Sequence, residues 1–353
     1  MRNAKYIVRA DGNAVIGAGH LMRCLTIMEA LALLLGGRDT ILFLCADVSS
    51  AQLVQKKGFQ AQVLHTDYQD MESELPLWKE LFETGKEGHP EKEAGRSRRR
   101  ILVDSYYVTK AYLTEIRSYG KVFLLDDLQE KKFPADAVIN YNAFADTEIY
   151  RKLYGFCGTQ LYIGSSFVPL RSQFQQVNYS LSEKVKNVLI TTGGGDRDNI
   201  AGRILNRIYR EDVCFHLVVG SLSPNYQELK ELEKRKKGIV IHHDVQNMAE
   251  LMKSCDAAVT AGGSTVYELA AIGVPLICFS YAKNQEALVN YIGTHEIAGS
   301  AGAFHENEER TLERLEELFS LLNSSFSLRK QWSGNERKMI DCRGALRLAE
   351  ALI

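Results

Sequence analysis

A histidine follows two glycines close to the N terminus, in a setting that would suit a general base. Gly17 and Gly19 permit a tight turn in which the backbone can approach a ligand, and a helical pattern begins at about His20. The free N–H groups and positive dipole end of a helix start disfavour a protonated imidazole, so His20 would be able to accept a proton near neutral pH. The alternative is that His20 only caps this helix.

The same turn lacks the pattern of a dinucleotide-binding site. The sequence GxGxxG needs a third glycine where this chain has Met22, which argues against NAD or FAD as a cofactor. Polar side chains flank the turn, with Arg9 and Asp11 at the end of the preceding strand pattern and Arg23 just inside the helix. Because open α/β sheets bind ligands beyond the carboxyl ends of their strands, these three residues are candidates for binding a substrate.

A second glycine-rich helix start, in the C-terminal half, has residues that suit a nucleotide. Gly262, Gly263, Ser264 and Thr265 combine small side chains, hydroxyl groups and the free N–H groups of a helix start, which together favour a diphosphate. Glu268 lies roughly one turn further along, where its carboxylate could accept hydrogen bonds from the two hydroxyls of a ribose. The alternative is that Glu268 is an ordinary solvated residue, but the sequence favours ligand binding.

Polar residues also follow the next strand pattern along the chain. Asn284 and Gln285 come directly after that strand, so their side chains are expected at the same end of the sheet as Gly262. We therefore include both in the candidate binding site.

A third glycine run contains Gly194 and precedes another helical pattern. Three consecutive glycines can bring N–H groups against a phosphate, but no Gly-Lys-Ser/Thr follows them, which excludes a P-loop. Asp196 and Asp198 form a DxD pair, which could bind a metal or cap the next helix. Capping needs no ion and is favoured, so we expect neither a metal nor a cofactor.

These residues are distributed over alternating strand and helix patterns, which are typical of an α/β fold with parallel sheets. Strand-like runs in the first half are 5–9, 40–45, 61–64, 101–104, 122–125 and 137–140. The series then restarts, with strand-like runs at 188–192, 215–219, 239–242, 257–260 and 276–279.

The polar stretch 173–184 interrupts both patterns and predicts a domain boundary. We expect two Rossmann-like domains facing a central cleft. The first, 1–174, would hold the candidate base His20. The second, 182–353, would bind the nucleotide and end in a closing helix. The polar segment 83–100 predicts a solvated loop.

Composition limits the classes of partner. The 353 residues carry a formal net charge of −1, which gives no electrostatic reason for binding nucleic acid or a membrane surface. No apolar run is long enough for a signal peptide or a membrane span. Seven scattered cysteines without a CxxC pair suit buried thiols in a reducing compartment. We therefore expect a cytoplasmic protein, acting as a monomer on a small molecule.

With these residues assigned, the sequence resembles the UDP-2,4-diacetamido-2,4,6-trideoxy-β-L-altropyranose hydrolases of pseudaminic acid biosynthesis. The resemblance rests on segments in the expected order along nearly the whole chain, RADGNAVIGAGHLMRC, VDSYY, LLDDL with NYNA, YIGSSFVPLRSQF, ITTGGGDRDN, AGGSTVYELAAIGVP, YAKNQE and DCRGA. It implies a GT-B fold in which the first domain holds the sugar. The segment 70–100 is longer than in that family.

The resemblance also implies roles for individual residues. The base of that family corresponds to His20, a tyrosine of its sugar site to Tyr106, the asparagine of its NQE motif to Asn284, and its ribose-binding glutamate to Glu268.

The implied reaction is hydrolysis of the bond between the anomeric carbon of the sugar and the β-phosphate oxygen of UDP. UDP is a competent leaving group, so donors that stabilise its charge can replace a general acid. One base, His20, would then suffice to activate water and would give inversion. The alternatives are a GT-B glycosyltransferase that passes the sugar to an acceptor hydroxyl, and a nucleotide-sugar-binding protein without activity.

Overall fold

The computed structural model describes residues 4–13, 15–83, 99–155, 157–193, 196, 198–220 and 223–353. Gly194 and residues 84–98, most of the expected solvated loop, lie outside the described residues. The chain divides into two compact units. Unit 1 comprises Met1–Pro169 and Arg343–Ile353, and unit 2 comprises Leu170–Cys342.

Unit 1 is built on a parallel sheet. Its strands are β1 (Tyr6–Ala10), β2 (Ile41–Cys45), β3 (Gln60–Val63), β4 (Arg100–Asp104), β5 (Lys121–Leu125), β6 (Ala137–Asn140) and β7 (Gln160–Ile163). Its helices are α1 (Gly19–Leu35), α2 (Val48–Lys56), α3 (Leu75–Glu83), α4 (Lys110–Ile116), α5 (Thr147–Tyr154) and the C-terminal α13 (Gly344–Leu352).

The seven strands of unit 1 lie in the order β3-β2-β1-β4-β5-β6-β7. Strands β1 and β2 are buried throughout because helices cover both faces of the sheet. The order reverses between β1 and β4, where Ala10 is paired with Asp104. Such a reversal opens a crevice at the carboxyl ends of the two strands, which is the usual ligand site of an open α/β sheet.

Unit 2 repeats this architecture with six parallel strands in the order β10-β9-β8-β11-β12-β13. The strands are β8 (Asn187–Thr191), β9 (Cys214–Val219), β10 (Ile239–His243), β11 (Ala257–Ala261), β12 (Leu276–Ser280) and β13 (Gly299–Ala303). The helices are α6 (Ile200–Ile208), α7 (Tyr226–Arg235), α8 (Met248–Lys253), α9 (Ser264–Ile272), α10 (Lys283–Thr294), α11 (Glu308–Ser324) and α12 (Phe326–Met339). The order reverses between β8 and β11, so Gly193 and Gly262, which follow these two strands, lie at the same end of the sheet.

The C-terminal helix belongs to unit 1, whereas the sequence placed it in the second domain. Its apolar stripe packs on α1 and on the short turn Ser165–Phe167. Gly344 is required there, since a Cβ atom would lie 2.2 Å from the carbonyl oxygen of Val168. The division after Pro169 also differs from the expected boundary, because the polar stretch 173–184 already packs in unit 2.

The two predicted Rossmann-like folds are therefore confirmed. Among the described residues, every helix is too short or too polar to cross a membrane.

Candidate active site

The first candidate site lies where β1 and β4 diverge in unit 1. His20 stands in the first turn of α1, and its Nδ1 atom is 2.6 Å from Oδ1 of Asp104, the last residue of β4. An ionised carboxylate can only accept hydrogen bonds, so a contact this short requires the proton on Nδ1 of His20. In the neutral imidazole, the Nε2 atom then keeps its lone pair and can accept a proton. This is the arrangement in which a carboxylate fixes the tautomer of a histidine base.

Asp104 is held in its ionised form although it is almost fully buried. Burial alone would raise its pKa, but the charge of Arg23 and the contact with His20 outweigh burial and lower the pKa below its ordinary value. Arg23 donates from Nε to Oδ2 of Asp104 at 2.5 Å and from Nη2 to Oδ1 at 2.6 Å. The bidentate pair fixes the plane of the carboxylate against which His20 is aligned.

The sequence identified Arg23 as a substrate-binding residue, but its guanidinium contacts protein groups. Besides Asp104, Nη1 donates to Asp127 Oδ2 and to the hydroxyl of Tyr141, both at 2.8 Å. Asp127 also accepts from Nδ2 of Asn142 at 3.1 Å. The side chain of Arg23 is only 12% exposed, so we assign it to the support of Asp104.

A cavity of about 140 Å³ lies over this pair. Tyr106 forms one wall, with its ring edge-on to the imidazole of His20 at 4.6 Å between centroids. Tyr68 and Tyr107 form another, with ring centroids 5.7 Å apart. The lining residues are Asp11, Ile16, His20, Tyr68, Asp104, Ser105, Tyr106 and Tyr107. Three of the predicted residues, His20, Asp11 and Tyr106, therefore meet around one space.

Arg9 does not line this cavity, although its charge and position made it a candidate for binding a substrate. Its side chain is fully buried, where Nε donates to Glu74 Oε2 at 2.8 Å and Nη2 contacts Glu74 Oε1. Nη1 donates to Asp11 Oδ2 at 2.5 Å, and Asp11 Oδ1 also accepts from the N–H of Ala46 at 2.7 Å. Arg9 therefore connects buried Glu74 to Asp11 and holds the Asp11 carboxylate at the cavity wall.

The two glycines of the His20 turn have different roles. Gly17 has a φ of +74°, in the left-handed region that favours glycine, and its N–H donates to the carbonyl of Asn13 at 2.9 Å. Gly19 is the first residue of α1. The turn thus brings His20 to the start of the helix, as the sequence predicts.

The second candidate site is the start of α9 in unit 2, and it has the features expected of a phosphate site. Gly263 is the N-cap residue of this helix and has no side chain that could cap the first N–H groups. Gly262 packs closely on α10, since a Cβ atom there would lie 2.5 Å from Cγ2 of Val289. Ser264 and Thr265 begin the first turn. The helix dipole and these N–H groups suit an anion.

Glu268 lies one turn into α9 and forms an ion pair that the sequence analysis did not identify. Its Oε1 accepts from Nη2 of Arg171 at 2.7 Å, and its side chain is 14% exposed. Asn284 is exposed in the first turn of α10. Gln285 bonds back to the segment that precedes its helix, because its Oε1 accepts from the N–H of Tyr281 at 3.1 Å.

Asp196 of the DxD pair caps a helix, which confirms the capping role that the sequence favours for one of the two aspartates. Asp196 accepts from the N–H of Ile200 at 2.7 Å and from that of Ala201 at 2.9 Å, at the start of α6. The backbone carbonyl of Asp198 accepts from Arg203 at 2.9 Å. Gly193, which precedes Gly194, has a φ of +89° that favours glycine.

Comparisons with known proteins agree with this fold. Residues 161–325 match the family model of the glycosyltransferase family 28 C-terminal domain. The MurG structure of Acinetobacter baumannii superposes with a TM-score of 0.66 at 13% identity, over 99% of both chains. The Arabidopsis thaliana glycosyltransferase UGT89C1, solved with UDP-L-rhamnose, gives a TM-score of 0.65 at 12% identity over 98% of both chains. The two-domain α/β fold is therefore GT-B.

The names of two relatives refer to polysaccharide or sugar biosynthesis. The spore coat polysaccharide biosynthesis protein SpsG of Bacillus subtilis is 28% identical over 66% of this chain and 69% of its own. A Helicobacter pylori protein named as a pseudaminic acid cytidylyltransferase and UDP-2,4-diacetamido-2,4,6-trideoxy-β-L-altropyranose hydrolase is 25% identical over 52% of this chain. That match covers only 34% of the Helicobacter protein.

Proposed function

We propose that the protein hydrolyses a UDP-activated sugar by direct attack of water at the anomeric carbon. The observation that carries this proposal is the His20–Asp104 pair at the wall of the unit 1 cavity, which leaves Nε2 of His20 free to accept a proton. Relatives with names in sugar-nucleotide pathways and a GT-B fold support a UDP-sugar as the substrate.

In this mechanism water is the nucleophile and His20 is the base. The water oxygen forms a bond to the anomeric carbon while its proton passes to Nε2 of His20. The bond from that carbon to the β-phosphate oxygen breaks, and its electron pair leaves with UDP. Asp104 stabilises the imidazolium that forms, as in other carboxylate–histidine pairs. Attack on the face opposite UDP inverts the configuration.

Unit 2 would bind the nucleotide. Gly262, Gly263 and the first turn of α9 would hold the diphosphate, with Glu268 on the ribose, and Asn284 next to the sugar. In unit 1, Asp11 and Tyr106 would contact the sugar. The match to the Helicobacter protein supports a di-N-acetylated trideoxy sugar of a nonulosonic acid pathway as the substrate.

A glycosyltransferase is the second candidate, because the family model and the superposed structures belong to glycosyltransferases. His20 would then deprotonate an acceptor hydroxyl instead of water. One simple assay distinguishes the two candidates, the release of UDP from a panel of UDP-sugars in the absence of any acceptor. A hydrolase releases UDP under these conditions, whereas a glycosyltransferase needs the acceptor. NMR of the free sugar, recorded before mutarotation, reports the configuration of the product.

We expect turnover to survive exhaustive treatment with EDTA. Asp196 of the DxD pair is used in helix capping, and the helix start at Gly263 offers N–H groups and a dipole for the diphosphate charge. Among the described residues, Glu286, His305 and Glu306 are close enough to share an ion, and that group contains no member of the DxD pair. The assay compares rates after EDTA with and without added Mg²⁺ or Mn²⁺. Activity lost with EDTA and restored by metal would contradict this prediction.

A further inference from the structure

Arg171 reaches Glu268 from a distant part of the chain. The two residues are 97 positions apart, and their contact between Nη2 and Oε1 is 2.7 Å long. The Arg171 side chain is 28% exposed and the Glu268 side chain 14% exposed, so the pair is half-buried rather than a solvated surface contact. Ion pairs in such positions are less screened by water and salt than pairs on the surface.

Local structure holds the guanidinium of Arg171 in place. The residue precedes the short turn Ser172–Phe174, and its carbonyl accepts from the N–H of Phe174 at 3.0 Å. Its guanidinium lies 5.2 Å from the ring centroid of Phe174, which is buried. The turn is fixed to α8 by Gln173, which accepts from the N–H of Ala249 at 3.3 Å. The packing of this turn therefore holds the guanidinium of Arg171 against α9.

The charge of Arg171 acts on an otherwise poorly solvated carboxyl group. Burial raises the pKa of Glu268, and Arg171 opposes that effect through its charge and its hydrogen bond.

Several titratable groups on the elements that pack against α9 contact groups other than the Glu268 carboxylate. Glu250 and Lys253 of α8 are 3.9 Å apart, and Cys278 of β12 is buried. On α12, Glu336 accepts from the N–H of Leu276, and Arg337 donates to the carbonyl of Ile272.

We propose that Arg171 is a positioning residue for nucleotide binding, because it keeps the Glu268 carboxylate ionised and oriented to accept hydrogen bonds from the ribose. This inference rests on the proposed function, in which Glu268 binds the ribose of UDP. A carboxylate can accept from both ribose hydroxyls, whereas a protonated carboxyl group loses part of that capacity. Without Arg171, recognition of the ribose becomes sensitive to acid.

The test compares UDP with 2′-deoxy-UDP by calorimetry at about pH 6 and about pH 8, because burial raises the pKa of Glu268 and its protonation in a variant without Arg171 would show first at the lower pH. The ratio of the two Kd values measures recognition of the ribose 2′-hydroxyl. Both nucleotides carry the same diphosphate, so a change in its ionisation affects both Kd values equally and leaves the ratio unchanged. For the unmodified protein we expect UDP to bind about 10-fold tighter at both pH values, the effect of a hydrogen bond to a charged group. For Arg171→Gln we expect a similar ratio at the higher pH and a ratio of about 2 at the lower pH.

Two further variants define the comparison. Arg171→Lys keeps a positive charge and should retain the ratio at both pH values. Arg207→Gln removes another arginine–glutamate contact of unit 2, 2.7 Å long between Arg207 and Glu316, and should leave the ratio unchanged.

Three results would overturn the proposal. A ratio in Arg171→Gln that equals that of the unmodified protein at both pH values would show that Arg171 does not control Glu268. An equal loss of affinity for both nucleotides at both pH values would show that Arg171 contacts the nucleotide itself. No binding of UDP by the unmodified protein would remove the nucleotide site of the proposed function, and this inference with it.

Discussion

Replacing Asp104 by Asn is expected to lower the turnover of a UDP-sugar by roughly 10³- to 10⁴-fold, as loss of the carboxylate does in other histidine bases. An amide at this position can donate to Nδ1 of His20, which favours the tautomer with the proton on Nε2, where the base must be free. The amide also carries no charge to stabilise the imidazolium. Asp104 belongs to unit 1, so the affinity for UDP should remain unchanged. The measurement is steady-state turnover, together with calorimetry for UDP.

Asp136→Asn is the matched control for this substitution. Asp136 also lies in unit 1 and pairs with an arginine, Arg117, at 2.7 Å, and it accepts from the N–H of Val122 at 2.9 Å. We expect its turnover to stay within about 3-fold of that of the unmodified protein, since it lines neither candidate site. Turnover of Asp104→Asn above about a tenth of the original value would contradict the assignment of His20 and Asp104 as a base and its orienting partner.

Glu74→Ala is expected to destabilise unit 1 by about 3–5 kcal/mol, the usual cost of removing one partner of a buried ion pair. Glu74 and Arg9 are both fully buried, and the substitution leaves the guanidinium of Arg9 with Asp11 as its remaining carboxylate. It also removes the acceptor of the buried Tyr112 hydroxyl, at 3.1 Å. The measurement is the free energy of unfolding in urea.

Trp78 provides a local probe for this experiment. It is buried in unit 1, and the chain's other tryptophan, Trp332, lies in unit 2. In a Trp332→Phe background, fluorescence therefore reports the unfolding of unit 1. Glu72→Ala is the control, because Glu72 lies in the same turn but is exposed, where it accepts a hydrogen bond from the Thr109 hydroxyl at 2.6 Å. A loss below about 1 kcal/mol in Glu74→Ala, similar to that expected for Glu72→Ala, would show that the buried network is not needed for stability.

The elements of the fold were predictable where the sequence has strong periodicity. Buried strands such as β2 (ILFLC) and β12 (LICFS) have the apolar runs of parallel sheets and lie where the sequence places them. Strand β13 (GSAGA) has no β-branched residue, so its pattern does not distinguish it from a loop. The C-terminal helix was predicted as a helix. Its packing on unit 1 depends on a long-range contact that periodicity does not report.

The candidate site was only partly predictable, because local sequence patterns again do not report contacts between distant residues. Glycines beside a strand end mark His20 and Gly263, because they leave a local signature. Ion pairs between residues far apart in sequence leave none, so Asp104, Glu74 and Arg171 were not identified as partners of His20, Arg9 and Glu268. Arg9 and Arg23 were selected as substrate-binding residues for their charge. The structure shows that both arginines form ion pairs with buried carboxylates.

The most direct test of the proposed function is acceptor-free turnover by the unmodified protein and by His20→Asn. The unmodified protein should release UDP and free sugar from a UDP-activated di-N-acetylated sugar with no acceptor present. Loss of the base should lower that rate by about 10²-fold or more, while calorimetry finds the affinity for UDP nearly unchanged. Near-normal turnover in His20→Asn, or release of UDP only when an acceptor hydroxyl is supplied, would contradict hydrolysis by a His20-activated water.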